Sequence, residues 1–321
     1  MENNSEIFKK GLKENKKELI DIVEKSDLHC HAELSADKKV FEEKYSVKIP
    51  DPKNLKSIEE MDIWLRDYLK PYITGYDGMI MKYSSMFKNA EEQNIKVITP
   101  GFCLKKLKYV DGDIDEFIRI IKELKEKYAP NVNFIPELQL NRNNDYEYNR
   151  RMFEMAKKSG FFKSIDIMGK EEYGVDQFID IYKEASELGW ILKAHVGEFE
   201  SAKFVEDALE KLNLDAINHG LSAKDSENLM KYIRDNNIMI NCCPSSNLIL
   251  SRIDGYSSHP IKTFVENGIT CSVNTDDLMI FNQRLSEEYL NLYNNGTLGL
   301  EELDKVRQDG LNKCLCKRRG N

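Results

Sequence analysis

Within its 321 residues the chain has no apolar run approaching the ~20 residues that a membrane span requires. Its opening, MENNSEIFKKGLKENKKELIDIVEKS, lacks the apolar core of a secretory signal. Disulfide-framework spacing is also missing: the seven cysteines are odd in number, Cys242 and Cys243 are adjacent, and Cys314 and Cys316 stand one residue apart. No CxxC pair offers a zinc knuckle, so reduced thiols in a cytoplasmic protein are the simplest account. Positive charge is not in excess. The net charge of −8 argues against nucleic acid or an anionic membrane as partner. The basic tail KCLCKRRGN is the exception and reads as a frayed end. Histidine is scarce, with five in all, yet His29 and His31 stand two apart in SDLHCHAELSAD.

Apolar content of 41% and charged content of 32% are those of a globular chain with a well-charged surface. Eight strand-like runs recur: SDLHCH, IKVITPGF, VNFIPELQL, FKSIDIMG, WILKAHVGE, LDAINHG, NIMINCCPSS and ITCSVNTDD. Charged, periodic segments such as GDIDEFIRIIKELKEKYA separate them. Strands alternating with helices imply βαβ units and a parallel sheet, and eight units suggest a closed (β/α)8 barrel of the TIM type. No Pro/Gly/Ser-rich linker interrupts the pattern. A single unit over 1–321 is therefore expected, with an N-terminal helix over 1–25, a barrel over 26–310 and a tail over 311–321. Ile7, Leu12, Leu19, Ile20 and Val23 form the apolar side of the opening helix. After the first strand, Met61, Trp64, Leu65 and Tyr68 share one helix face. That helix, near 57–70, is either core-facing or an apolar lid over the barrel mouth.

The remaining histidines give the pair at 29–31 its meaning. Alternate residues of a strand point the same way, so His29 and His31 can grip one ion. His195 ends the fifth strand, His219 the sixth, and Asp276 and Asp277 the eighth. A parallel barrel delivers all its C-terminal strand ends to one face. His29, His31, His195 and Asp276 make an N3O ligand set that suits Zn2+ with a position left for water, and iron or cobalt would also accept it. Glu198, three residues beyond His195, is placed for proton transfer. His259 lies in DGYSSHP and reads as a surface residue.

These segments together resemble the adenosine deaminase family of metal-dependent barrels. The matching residues are HCH at 29–31, HVGE at 195–198, HG at 219–220 and NTDD at 274–277, with SIDIMGKE at 164–171 weaker. The resemblance spans roughly residues 26–310. It implies a cytoplasmic hydrolase of purine metabolism that acts on a cyclic amidine C–N bond, most simply converting adenosine to inosine and ammonia. By that resemblance His29, His31, His195 and Asp276 bind the metal, and Asp276 thereby serves catalysis. Glu198 protonates a ring nitrogen, and His219 orients the attacking water and takes its proton. Asp277 and the Gly169 N–H would contact the purine.

One departure bears on the substrate. The family usually follows its paired histidines with an apolar residue, Asp or Asn, then Gly; here the run is Ala32, Glu33, Leu34. Glu33 would take the ribose-contact position with one methylene more. Adenosine, a modified adenine nucleoside or a nucleotide remain alternatives. No Arg/Lys cluster is evident near the strand ends, and Arg142 is the nearest phosphate candidate, which favours a nucleoside. CCPSS lacks the PCxxC signature of the cytidine-type zinc deaminases. Two rivals stand beside the deaminase. DLHCHAELSAD also resembles the opening of the polymerase-and-histidinol-phosphatase phosphoesterases, and a non-catalytic binding barrel is the third reading.

Overall fold

The computed structural model describes residues 3–313. Nine strand segments are present: β1 Lys25–His31, β2 Ile95–Phe102, β3 Asn133–Phe134, β4 Glu137–Asn141, β5 Ser164–Met168, β6 Ile191–Val196, β7 Ala216–His219, β8 Met239–Cys242 and β9 Cys271–Val273. Both β3 and β4 pair with β2, so together they form one stave, broken at Pro136, which has no N–H to give a ladder. Every pairing is parallel, and the order runs β1-β2-β4-β5-β6-β7-β8-β9. The eight expected strands are therefore all present, in a nearly closed α/β barrel. Most strand residues are buried on both faces, as parallel strands under a helical layer must be.

The seam between β9 and β1 is closed partly by side chains, because β9 is only three residues long. Asn274 Oδ1 accepts from the Leu28 N–H at 2.7 Å, and Asp27 accepts from the Thr275 hydroxyl at 2.6 Å. Backbone bonds Asp276 N to His29 O and His31 N to Asp276 O, both 3.2 Å, complete the closure. This seam carries HCH and NTDD side by side.

The N-terminal region forms two helices rather than one, Asn4–Lys13 and Lys17–Asp21. Asn15 between them adopts a left-handed φ of 52°, which ends the first helix. Phe8, Leu12, Ile20 and Val23 are buried as a result, whereas Leu19 is only partly so. The segment after β1 is helical over Ile58–Trp64, then widens to a π-turn over Leu65–Leu69. The wider turn carries Tyr68 off the expected face into solvent and puts Leu69 on it. Trp64, Leu65, Leu69 and Ile73 pack with Leu250 and Phe281 in a cluster separate from the main core. Ile58, Met61 and Leu65 line the cavity at the barrel mouth, so the segment covers that cavity as a lid does. No described helix is long and apolar enough to cross a membrane. Cys314, Cys316 and the basic tail lie outside the described residues.

Candidate metal and catalytic centre

Four histidines and two carboxylates meet where the strands end. His29 and His31 come from β1, His195 from β6, His219 from β7, and Asp276 and Asp277 follow β9. The His29 ring centroid lies 4.6 Å from that of His195 and 5.2 Å from those of His31 and His219. Ligand atoms of His29, His195, His219 and Asp276 all fall within 4.8 Å of one another, and His31, Asp276 and Asp277 form a second such group. His31 Nε2 is 3.0 Å from Asp276 Oδ1. The sequence-expected ligands therefore converge, with His219 alongside them.

The backbone is strained at this point. His219 and Asp276 hold left-handed φ values of 66° and 55°, uncommon for residues with a Cβ. Gly169 has φ of 93°, and a Cβ there would meet the side-chain oxygens of Asn141 and Asn143 at 2.5 Å. Such strain persists only where surrounding packing enforces it, and it gathers at functional sites.

The polar atoms show what the cluster can hold. Both ring nitrogens of His29 and Asp277 Oδ1 are buried without a hydrogen-bond partner, and Asp276 Oδ1 is paired with the His31 ring. Unpaired buried polar atoms are costly, and a shared cation would satisfy several together. Other ring nitrogens are held from behind. Asp166 Oδ2 lies 2.9 Å from His195 Nδ1, and the Gln139 amide lies 2.6 Å from His31 Nδ1. Such outer partners orient metal-binding imidazoles. Asp166 is fixed in turn by Asn218 at 2.9 Å, and Asn218 by Asn241 at 2.8 Å.

The electrostatics differ sharply within a few ångströms. Burial, with Asp276 and Glu171 nearby, pushes the Glu198 carboxyl well above its ordinary range. Burial lowers His219 to about 3, so its ring is neutral at neutral pH. His29 is also pushed well down, by burial and by His195 and His31. Burial works against the charge on His31, but Asp277 and Asp276 outweigh it and raise that ring. Glu198 Oε1 sits 3.5 Å from His219 Nδ1. A carboxyl pushed toward its acid form thus lies beside a neutral imidazole.

Several contributors were not evident from the sequence. Glu171 is buried and accepts from the N–H groups of Gly197, Glu198 and Phe199 at 2.6, 2.9 and 2.9 Å, which fixes the loop carrying Glu198. His259 is not a surface residue: it is buried, and its Nε2 lies 3.2 Å from Asn247 Oδ1. Asn247 Nδ2 in turn reaches His219 Nδ1 at 3.2 Å and Glu198 Oε1 at 3.4 Å. Arg142 offers nothing to a phosphate. Its buried guanidinium donates to the carbonyls of Gly174, Ile167 and His195. The cationic cluster that the sequence did not reveal stands around Glu33, where Lys82 and Lys106 lie 2.8 and 3.2 Å from Oε2. Burial opposes ionisation of Glu33, and those two lysines overcome it and hold the carboxyl low. Glu33, Lys106 and Glu171 border one cavity of about 450 Å³, within the range of small-molecule sites. Its wall includes His31, Gly169, Glu198, His219, Asp276 and Asp277.

Known proteins resemble this chain in sequence and in fold. The sequence profile described as adenosine deaminase matches residues 114–320. A putative adenosine/adenine deaminase of Treponema pallidum is 28% identical over 276 residues, which span 85% of this chain and 92% of that protein. Among solved structures, an amidohydrolase of Burkholderia ambifaria with bound Zn superposes with a TM-score of 0.78 at 17% identity, over 92% of this chain and 86% of that one. The Arabidopsis N6-mAMP deaminase superposes with a TM-score of 0.78 at 16% identity, over 93% and 95%. At these identities the two structures speak for the fold alone.

Proposed function

Because the chain belongs to the adenosine deaminase family, and so is a hydrolase of amidine C–N bonds, we propose that it deaminates the amino-bearing ring carbon of an aminopurine nucleoside or nucleotide, with adenosine to inosine as the parent reaction. Residues 26–310 would be the catalytic unit. The arrangement that carries this reading is the Glu198 carboxyl, pushed toward its acid form by burial, 3.5 Å from the neutral ring of His219, both facing a cavity that Asp276 also lines.

His29, His31, His195 and Asp276 would hold the cation, for which zinc is the reading favoured by three nitrogens and one oxygen. When bound there, a divalent cation supplies Lewis acidity and lowers the pKa of water from 15.7 toward about 7. Glu198 would give its proton to the ring nitrogen next to the amino-bearing carbon, which makes that carbon electrophilic. His219 would accept the proton of the attacking water and present its ring to the oxygen as charge develops. The water oxygen forms the new C–O bond. As the C–N bond breaks, the amino group would leave as ammonia with the proton taken up by His219, and the second proton of the attacking water would return Glu198 to its acid form. Asp277, whose carboxyl burial raises to about 7, and the Gly169 N–H would orient the purine.

Incubation with aminopurine bases, nucleosides and nucleotides, followed by mass spectrometry, tests this reading. Replacement of the amino group by oxygen in the wild type but not in Glu198→Gln is expected. With metal content confirmed, no conversion across the panel would sink it. The fold shared with the zinc-bound amidohydrolase and with the N6-mAMP deaminase supports including metal-loaded protein and nucleotides in that panel.

A further inference from the structure

The cavity wall around Glu33 carries more positive charge than it has carboxylates to balance. Lys82 is buried and donates to Glu33 Oε2 at 2.8 Å, and the Tyr83 hydroxyl donates to Oε1 at 2.5 Å. A buried ammonium requires a counter-ion, and Glu33 alone neutralises Lys82. Lys106 then comes to the same Oε2 at 3.2 Å, with its side chain 26% exposed. The next residue back, Lys105, borders the cavity too and meets two neutral groups, Asn144 Oδ1 at 3.1 Å and the Tyr148 ring, whose centroid is 5.7 Å away. Among the described residues, Lys106 pairs with no carboxylate but Glu33, and Lys105 pairs with none. One carboxylate therefore serves two ammonium groups, and a third stands on the same cavity wall.

The position of this charge along the cavity is informative. Glu33 is two residues beyond His31, so at most about 7 Å of extended chain separates them. An aminopurine carries its amino group and its sugar at opposite ends of the ring system. With the amino-bearing carbon at the histidines, the sugar end reaches the wall bearing Glu33, Lys105 and Lys106. A phosphate brings roughly two negative charges and three strong acceptor oxygens. Glu33 alone would repel it, but Glu33 is already outnumbered.

We propose that Lys106 and Lys105, with Lys82 neutralising Glu33 behind them, form an anion subsite for a phosphate on the substrate's ribose, so that an aminopurine nucleoside 5′-monophosphate is preferred over the free nucleoside. The proposal deepens the deaminase reading above and rests on it for the orientation of the purine. It also replaces the preference for a nucleoside that the sequence suggested.

The test compares kcat/KM for adenosine 5′-monophosphate and adenosine in wild type, Lys106→Gln and Lys106→Arg, and calorimetric Kd values for the products inosine 5′-monophosphate and inosine. A monophosphate-to-nucleoside ratio above one is expected in the wild type. Lys106→Gln should lower that ratio by about ten- to a hundredfold, the worth of a hydrogen bond to a charged group, and Lys106→Arg should restore most of it. Lys82 still neutralises Glu33 in both variants, so the wall keeps its fold. A ratio at or below one in the wild type, or one unchanged by Lys106→Gln, overturns the subsite. If neither aminopurine is turned over but inosine 5′-monophosphate binds more tightly than inosine and loses that advantage in Lys106→Gln, the subsite stands and the deaminase reading falls.

Discussion

Two polar regions occupy the same barrel, and they treat their polar atoms in opposite ways. Deep inside, Lys193 Nζ meets Glu137 Oε2 at 2.7 Å and donates to the Leu28 carbonyl at 2.6 Å. Ser164 Oγ donates to the same Glu137 oxygen at 2.5 Å. A chain of side chains from Asp166 through Asn218, Asn241 and Ser272 to Asn274 continues around the interior with bonds of 2.8–2.9 Å. Only Glu137 Oε1 in this belt lacks a partner. One layer above, His29 and Asp277 present unpartnered atoms beside the left-handed backbone of His219 and Asp276. Satisfied polar groups rigidify a fold, whereas unsatisfied ones cost stability unless chemistry employs them. The belt is read as the support and the upper layer as the working site.

Exchanging stability for activity would break that contrast most clearly. Glu198→Gln removes the proton donor and keeps its shape. Its kcat should fall by about 10²–10⁴-fold, the usual worth of a positioned acid, while thermal unfolding shows a Tm equal to or above that of the wild type. A lower Tm with activity retained would place Glu198 in the support instead.

The belt should respond in the reverse sense. Lys193→Met strands the Glu137 carboxylate in the interior, and such losses cost about 3–5 kcal/mol. Burial raises Glu137 above its ordinary value, and Lys193 is the main group opposing that rise. A carboxyl whose folded pKa is raised binds its proton more readily folded than unfolded, so its contribution to stability falls as pH climbs from the unfolded range near 4.5. The cost of Lys193→Met should therefore be smaller near pH 5 and grow toward pH 8, as read by urea unfolding at both. A cost independent of pH would mean that Glu137 is not the group left stranded. Asn274→Ala is a milder probe of the same belt. It orphans the Leu28 N–H at the β9–β1 seam and should cost about 1–3 kcal/mol.

The contrast also explains what the sequence could and could not disclose. His29, His195, His219 and Asp276 were legible because each sits at the end of an apolar run, and barrel topology alone brings such ends together. Asp166 and Gln139 were not, although Asp166 lies within the quoted SIDIMGKE. Each appears as one polar residue inside a strand, and only barrel closure shows which histidine it faces. Lys82 follows Glu33 by 49 residues on the helix Gly75–Glu92, and no periodicity links the two. His259 looked like a surface residue because its loop sequence is polar, yet Asn247 and Ile261 give its two ring nitrogens buried partners.

The smallest expected effect concerns how the covering segment is held over the site. Two polar contacts tie it to the barrel mouth: Lys170 to Glu59 at 2.8 Å, and Arg252 Nη2 to the Lys56 carbonyl at 3.1 Å. The Lys170–Glu59 pair is well exposed, and exposed pairs contribute little and are screened by salt. The apolar cluster of Trp64, Leu65, Leu69 and Ile73 against Leu250 and Phe281 buries far more. Lys170→Gln should therefore change KM by less than about twofold, whereas Leu69→Ala, at a fully buried position, should raise KM and lower the Tm together. If Lys170→Gln instead raised KM tenfold at low salt and the effect vanished at high salt, the segment would be held electrostatically. The division between an apolar clamp outside and a polar site within would then have to be redrawn.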